Sequence, residues 1–275
     1  MTVGDVAAGL RLCRAARWNQ TERDWRHFLT AAPHGALVAE EHGNVIGTVA
    51  TLPYGAFTWI SMVLVDPAAR GKGVGTTLLR RGLELIPDGV APRLDATPAG
   101  EVLYRKLGFA GEYDLERWFL DTRAARPVLP GPAARPLEPS DWPAIREMDL
   151  RAFGASRAEL LQRLGAQAPE YAWVVEGDRG LRGYLFGRHG HVREHLGPMV
   201  AHDQDTARVL LGSCLAAVPD RAMFMDVPDD QQAFRMFLLA AGFAVERPFK
   251  RMYRGKLTAP GRPSLIYGIA GPEFG

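Results

Sequence analysis

Apolar residues return along this chain at two different spacings, and the order of those spacings repeats. "LRLCRAARWNQTERDWRHFLTA" and "PAIREMDLRAFGASRAELLQRLGA" show the three-and-four rhythm of a helix with one buried face, and each predicts a helical pair. "GALVAEEHGNVIGTVATL" and "YAWVVEGDRGLRGYLFGR" follow as apolar runs broken by a short polar turn, which predicts strand, turn, strand. "TWISMVLVD" and "REHLGPMVA" are next, each a strand leading towards a helix, with "RLDAT" and "MFMDVP" as later strands. "YRKLGFAGEYDLERWFLD" from Tyr104 and "LLAAGFAVERPFKRMYRG" from Leu238 then share a helix end, Gly-Phe, and a strand carrying arginines. Gly108 and Gly242 suit the left-handed residue that closes a helix. Each half therefore reads helices, hairpin, strand, helix, strand, helix, strand, which predicts an α/β protein with a mixed sheet in each half.

A proline-rich stretch separates the halves. It holds Pro127, Pro130 and Pro132 and little that could form a core, so residues 123–135 read as an extended connector between domains 1–122 and 136–275. At 275 residues and 47% hydrophobic content, each side keeps enough for a core of its own. The net charge of +2 is too small to draw nucleic acid by bulk attraction. Cys13 and Cys214 stand far apart and make no disulfide framework. No basic-then-apolar leader opens the chain, and no apolar run nears the ~18 residues of a membrane span. These features together lead to the expectation of a cytoplasmic location, without nucleic-acid or membrane partners.

The chemistry concentrates in "DPAARGKGVGTTLL", from Asp66 to Leu79. A strand, a glycine turn and a helix start place unpartnered backbone N–H groups and a partial positive charge at one point, which suits an anion. Glycines let a phosphate approach without a Cβ in the way, and Arg70 and Lys72 add full charges. A P-loop would need Ser or Thr after Lys72, where Gly73 stands. A dinucleotide fingerprint would need G-x-G-x-x-G, whereas Gly71, Gly73 and Gly75 are spaced G-x-G-x-G. What remains resembles motif A of the GCN5-related N-acetyltransferase (GNAT) superfamily. The resemblance covers nearly the whole chain: "TPAGEVLYRKLGF" matches the family's later helix, with Thr97 where asparagine is usual, and the second half looks like the degenerate second domain of tandem GNAT proteins. "RWNQTERDW" and "YGIAGPEFG" look like features of that tandem subgroup.

That resemblance implies two GNAT-like domains, each a mixed, mainly antiparallel sheet flanked by helices. It implies acetyl-CoA as co-substrate, a primary amine as acceptor, and no metal. The pyrophosphate would lie on Arg70, Gly71, Lys72, Gly73, Val74, Gly75 and Thr76, with Thr97 nearby. The pantetheine arm would pair with Val63, Leu64 and Val65 in a gap between splayed strands, and Tyr104 would serve the departing thiolate. Trp18 and Asn19 are candidates for the acceptor pocket, because this helical region flanks the acceptor in the superfamily. No base is assigned, since Glu40, Glu41 and Asp95 read as ordinary turn or surface acids, while Cys13 reads as core. In the second half the arginine and glycines of the loop are gone, Asp203 and Asp205 stand at the helix start, and Leu238 takes the place of Tyr104. One acetyl-CoA per chain is expected. A non-catalytic acyl-CoA sensor or interaction module is the alternative.

Overall fold

The computed structural model describes residues 1–122 and 134–275. The first half runs α1 (Val6–Ala15), α2 (Glu22–Ala31), β1 (Ala36–Glu41), β2 (Asn44–Pro53), β3 (Phe57–Val65), α3 (Val74–Glu84), β4 (Ala91–Ala96), α4 (Pro98–Lys106) and β5 (Phe109–Leu120). The second runs β6 (Arg135–Pro136), α5 (Trp142–Phe153), α6 (Ala158–Gln167), β7 (Trp173–Gly177), β8 (Gly180–Arg188), β9 (Glu194–Ala201), α7 (Gln204–Ala217), β10 (Met223–Pro228), α8 (Gln232–Ala240), β11 (Ala244–Arg254) and β12 (Ile266–Gly268). The predicted order holds in both halves, with β6 and β12 added. Gly108 and Gly242 take φ of 86° and 87°, the left-handed turn their position demands.

Most of the expected connector, residues 123–133, lies outside the described residues. Its last two residues belong to the second half. Ala134 is buried with its N–H on Ser213 Oγ at 3.0 Å, and Arg135 holds Asp141 through two bonds of 2.8 and 2.7 Å.

The strands form one sheet in the order β1-β2-β3-β4-β11-β5-β10-β9-β8-β7-β6, with β12 on β9. Among the described residues only β3–β4 and β9–β10 pair in parallel, so the sheet is mixed and mainly antiparallel. The two middle strands are exchanged. β11, from the second half, lies against β4 of the first, and β5, from the first, lies against β10 of the second. β5 and β11 pair with each other from Phe109↔Arg254 to Phe119↔Ala244. Each exchanged strand carries an arginine directly opposite an aspartate of the half it joins. Arg117 meets Asp226 with bonds of 2.7 and 2.8 Å, and Arg251 meets Asp95 with two of 2.8 Å. All four side chains are buried.

The halves also share a core. On one face, α3 and α4 cover Ile60, Leu79, Leu94 and Met252, while α7 and α8 cover a separate cluster around Leu210, Met225 and Leu238. On the other face, one continuous cluster runs from Trp25 and Phe28 through Phe57 and Trp59 to Phe153, Phe186 and Phe274, so α1, α2, α5 and α6 cover it jointly. Independent folding of each half is therefore not what this packing provides.

The buried pair gives a stability prediction. Asp226→Ala strands the Arg117 guanidinium and should cost about 3–5 kcal/mol, read as a lower midpoint in urea. Burial alone would raise the Asp226 pKa, but the Arg117 charge and its hydrogen bonds outweigh it and hold the carboxyl below its usual 3.8. Its contribution is therefore present above about pH 4 and lost as pH falls through the depressed folded value. The wild type should lose stability over that acid range more steeply than the variant.

Candidate active site

β3 and β4 pair only from Phe57↔Ala91 to Trp59↔Arg93 and then part. β4 continues along β11, while β3 carries a bulge: Thr48 pairs Leu64 and Ala50 pairs Ser61, so Met62 and Val63 together face Val49. Met62 takes the left-handed φ of 53° this bend requires, and its carbonyl accepts from Thr48 Oγ1 at 2.7 Å. The strands enclose a groove of about 940 Å³, lined by Val63, Leu64, Val65, Arg70, Gly71, Gly73, Val74, Gly75, Thr76, Thr97, Tyr104 and Trp18 among others.

At one end of the groove the loop is held from below. Asp66 caps the turn Pro67–Ala69, accepting from the Ala68 N–H at 3.0 Å, and also takes Arg11 at 2.5 Å. Arg70 Nε donates to the Val65 carbonyl at 3.2 Å. Gly71 and Gly73 have φ of 78° and 83°, and a Cβ on either would meet no protein atom within 4 Å. They are glycines for backbone conformation and for open space in front of the loop, not for packing. α3 begins at Val74, so the free N–H groups of its first turn open onto that space. Lys72, between two left-handed glycines, lines a different hollow with Leu37, Glu40 and Thr77 rather than the groove.

At the other end, Thr97 caps α4, accepting from the Gly100 N–H at 3.2 Å. Tyr104 stands about two turns further along, with its ring 5.9 Å from that of Phe109. Burial pushes its pKa up to about 12, so the phenol is neutral and a donor across the physiological range.

A second, smaller pocket of about 40 Å³ adjoins the groove and shares Trp18, Val63, Asp95, Thr97, Tyr104 and Arg247 with it. Gln20, Ser61, Arg117, Pro272 and Glu273 also line it, with the apolar Ile60, Met62 and Phe249. Four of its polar atoms are buried without a hydrogen-bond partner: Gln20 Oε1, Ser61 Oγ, Arg247 Nε and Glu273 Oε2. A ligand or water in the pocket would complete their bonding. Sequence reasoning noted Gln20 only as an amide beside Trp18 and missed Ser61, Arg247 and Glu273 as site residues. The available signals were a serine inside an apolar strand and the closing "GPEFG".

Asn19 is not in this pocket. Its Nδ2 donates to the Arg193 carbonyl at 2.8 Å and its Oδ1 accepts from the Val192 and Arg193 N–H groups, so it clasps the β8–β9 connection and lines neither the groove nor the smaller pocket. Its neighbour Gln20 faces the pocket instead. Trp25 is fully buried in the shared core. Asp95 is committed to Arg251, and Glu40 and Glu41 lie exposed on β1.

The second half repeats this geometry and closes it. β9 and β10 pair from Glu194↔Met223 to Leu196↔Met225 and then part, with Gly197 and Pro198 bulging opposite Phe186. β12 fills the gap, pairing Ile266 with Val200, and Ile269 N–H donates to the Asp226 carbonyl at 3.0 Å. A Cβ on Gly197 would lie 1.9 Å from the Ile269 carbonyl oxygen. Asp203 caps α7 through the Thr206 N–H at 2.9 Å, and Leu238 is buried in the core.

Two models of the acetyltransferase (GNAT) domain match the chain, one over residues 32–110 and one over 145–268. The chain is a tandem GNAT protein. The first match contains the open groove, and the second contains the filled one. The chain is 25% identical over 271 residues to the uncharacterized N-acetyltransferase YitH of Bacillus subtilis, covering 98% of this chain and 95% of that one. It is 26% identical over 263 residues to the holothin acyltransferase of a Pseudoalteromonas species, covering 95% and 88%. A putative acetyltransferase from Pyrococcus horikoshii superposes with a TM-score of 0.83 at 23% identity, covering 100% and 94%. A tandem GNAT protein from the clavulanic acid biosynthesis pathway gives 0.66 at 18%, covering 93% and 96%. The tandem GNAT protein is an acyltransferase. Among the described residues no helix is long and apolar enough to cross a membrane, and no cluster of metal-ligating side chains is present.

Cys13 takes no part in this site. It is fully buried, and desolvation pushes its thiol up to about 12. Because the thiolate is the reactive form, Cys13 should resist iodoacetamide at about pH 8 in the folded protein and react fully in denaturant. Labelling of native Cys13, read by peptide mass, would show that this helix opens readily.

Proposed function

We propose that this tandem GNAT protein is an N-acetyltransferase, carrying an acetyl group from acetyl-CoA to the primary amine of a small molecule or peptide. The carrying observation is the continuous path from the glycine loop, along the unpaired edge of β3, past Tyr104 and into a pocket with unsatisfied polar atoms. The loop amides and Arg70 suit a pyrophosphate, and the edge at Val63, Leu64 and Val65 suits the amides of a pantetheine arm. Holding thioester and amine side by side can remove roughly 7–11 kcal/mol from the barrier. The name of the Pseudoalteromonas relative, an acyltransferase for holothin, favours a small-molecule acceptor.

Tyr104 acts by hydrogen bonding more than by full proton transfer. A thiol has a pKa of about 8.5, so moving a proton to its thiolate from a phenol near 12 is uphill by about 5 kcal/mol. A hydrogen bond to a charged sulfur is worth about 1.5–3 kcal/mol. Tyr104→Phe should therefore lower kcat by roughly 10- to 150-fold, with little change in acetyl-CoA affinity. Wild-type turnover in this variant would return Tyr104 to a packing role.

The asymmetry of the halves sets the stoichiometry. Titration calorimetry should show one acetyl-CoA per chain, since the second gap holds β12 and the second helix start holds Asp203. Gly73→Asn and Gly73→Asp share the backbone cost of a left-handed side chain, about 1–2 kcal/mol at most. Only Gly73→Asp also sets a negative charge against the pyrophosphate, so it should weaken binding further. Equal affinities for the two variants, or a second saturable site, would contradict this placement of the co-substrate.

A further inference from the structure

We propose that Glu273, at the far end of the second half, receives the acceptor's ammonium in the first half's pocket and takes its proton. This rests on the N-acetyltransferase reading. The path of the chain brings the glutamate there. After β12 has filled the second gap, residues 269–275 cross to the other side of the shared sheet. There Trp59 Nε1 donates to the Pro272 carbonyl at 2.9 Å, Tyr54 donates to the Phe274 carbonyl at 2.9 Å, and Phe274 stacks on Phe28 at 5.3 Å. These contacts fix the backbone on both sides of Glu273, whose side chain is 2% exposed.

One carboxylate oxygen is engaged and the other is free. Arg188 donates to Oε1, while Oε2 is buried, unpartnered and part of a residue lining the pocket. The other carboxylate in the lining, Asp95, is closed by Arg251. Glu273 is thus the acid with capacity to spare, on the wall that also holds Ser61, Val63 and Tyr104. The pocket has room for about three waters, which admits an ammonium and its first carbons but not a branched or aromatic head. The implied acceptor is an amine on an unbranched end.

In the step itself, R–NH3⁺ gives one proton to Glu273 Oε2. The freed lone pair forms the C–N bond to the thioester carbonyl, the C–S bond breaks, and the sulfur leaves as a thiolate bonded by Tyr104. The nitrogen's surplus proton passes to that sulfur, and Glu273 returns its proton to water. Burial raises the Glu273 pKa above its ordinary 4.5, which brings it closer to that of an amine and improves it as a base. The charges facing it are Arg188 of β8, Asp24 of α2, Arg117 of β5, Arg247 of β11 and Arg163 of α6, with the neutral thiol of Cys13 on α1.

The test uses the full chain with saturating acetyl-CoA and cadaverine, n-butylamine or benzylamine as probe, following thiol release from about pH 5 to about pH 10. Glu273→Gln, which keeps the bond from Arg188, should lower kcat/KM about 10²–10⁴-fold near neutral pH. Its rate should recover as pH approaches the alkylamine's own pKa of about 10, where no base is needed. Acetyl-CoA affinity by calorimetry should be unchanged, and the two unbranched amines should outpace benzylamine. Should Glu273→Gln melt early, Glu273→Asp carries the test, with a reduced rate but the acid limb of the profile retained. A wild-type pH profile in folded Glu273→Gln overturns the assignment, as does an undiminished rate in folded Glu273→Asp. So does a loss of rate that does not recover at high pH while acetyl-CoA still binds. A wild type that binds acetyl-CoA yet acetylates none of the three amines overturns the underlying reading, and the assignment with it.

Discussion

Two arginine–aspartate pairs hold this molecule in its arrangement. Arg117 crosses to Asp226 and Arg251 crosses to Asp95, and each pair sits at facing positions of an exchanged strand and its new neighbour. A buried ion pair adds little stability over an apolar contact, but it penalises every register in which either charge is left alone. A one-residue slip of β5 or β11 would leave the two charges of its pair buried and apart and turn every side chain to the wrong face. The pairs therefore specify which strand goes where, and the groove depends on that choice. Because β11 takes β4 away along its own direction, β4 leaves β3 after Trp59 and the gap opens.

The same geometry produces one gap per half, and the chain treats the two differently. Beside β3 it leaves a free strand edge, a glycine loop and a neutral tyrosine. Beside β9 it lays in its own β12, caps the helix with Asp203 and seats a leucine in the tyrosine's place. The segment that closes the second gap goes on to build the wall of the first pocket. One stretch of chain thus removes one site and shapes the other, which ties the second half's loss to the first half's chemistry.

Much of this was legible in the amino-acid order because it is local. Helical and strand periodicity, the two Gly-Phe closures and the Arg-Gly-x-Gly-x-Gly loop are all read within a few neighbouring residues. The exchange of strands was not legible, since the alternation in "DLERWFL" and "FKRMYRG" states that each is a strand and does not say whose neighbour it becomes. The partners of Arg117 and Arg251 lie more than a hundred residues away, beyond the reach of any local pattern. Asn19 was misplaced by one residue: it and Gln20 are adjacent amides, and only the bend after α1 decides which one faces the pocket. Lys72 was read as a phosphate ligand from its charge, and the structure places it on a neighbouring hollow rather than in the groove. Glu273 sat in a stretch already noted as unusual, yet nothing local connects it to Tyr104.

The exchange also imposes an order of events during synthesis. When β5 has left the ribosome, β4 still lacks the neighbour it will have in the finished sheet, and that neighbour ends at Arg254. Translation proceeds at about 5–20 residues per second, so the interval from Leu120 to Arg254 is on the order of ten seconds. Throughout it, the first half presents open strand edges and the uncovered aromatic face of the shared core. The nascent chain is then a sticky half-molecule that a holdase would protect until β11 arrives.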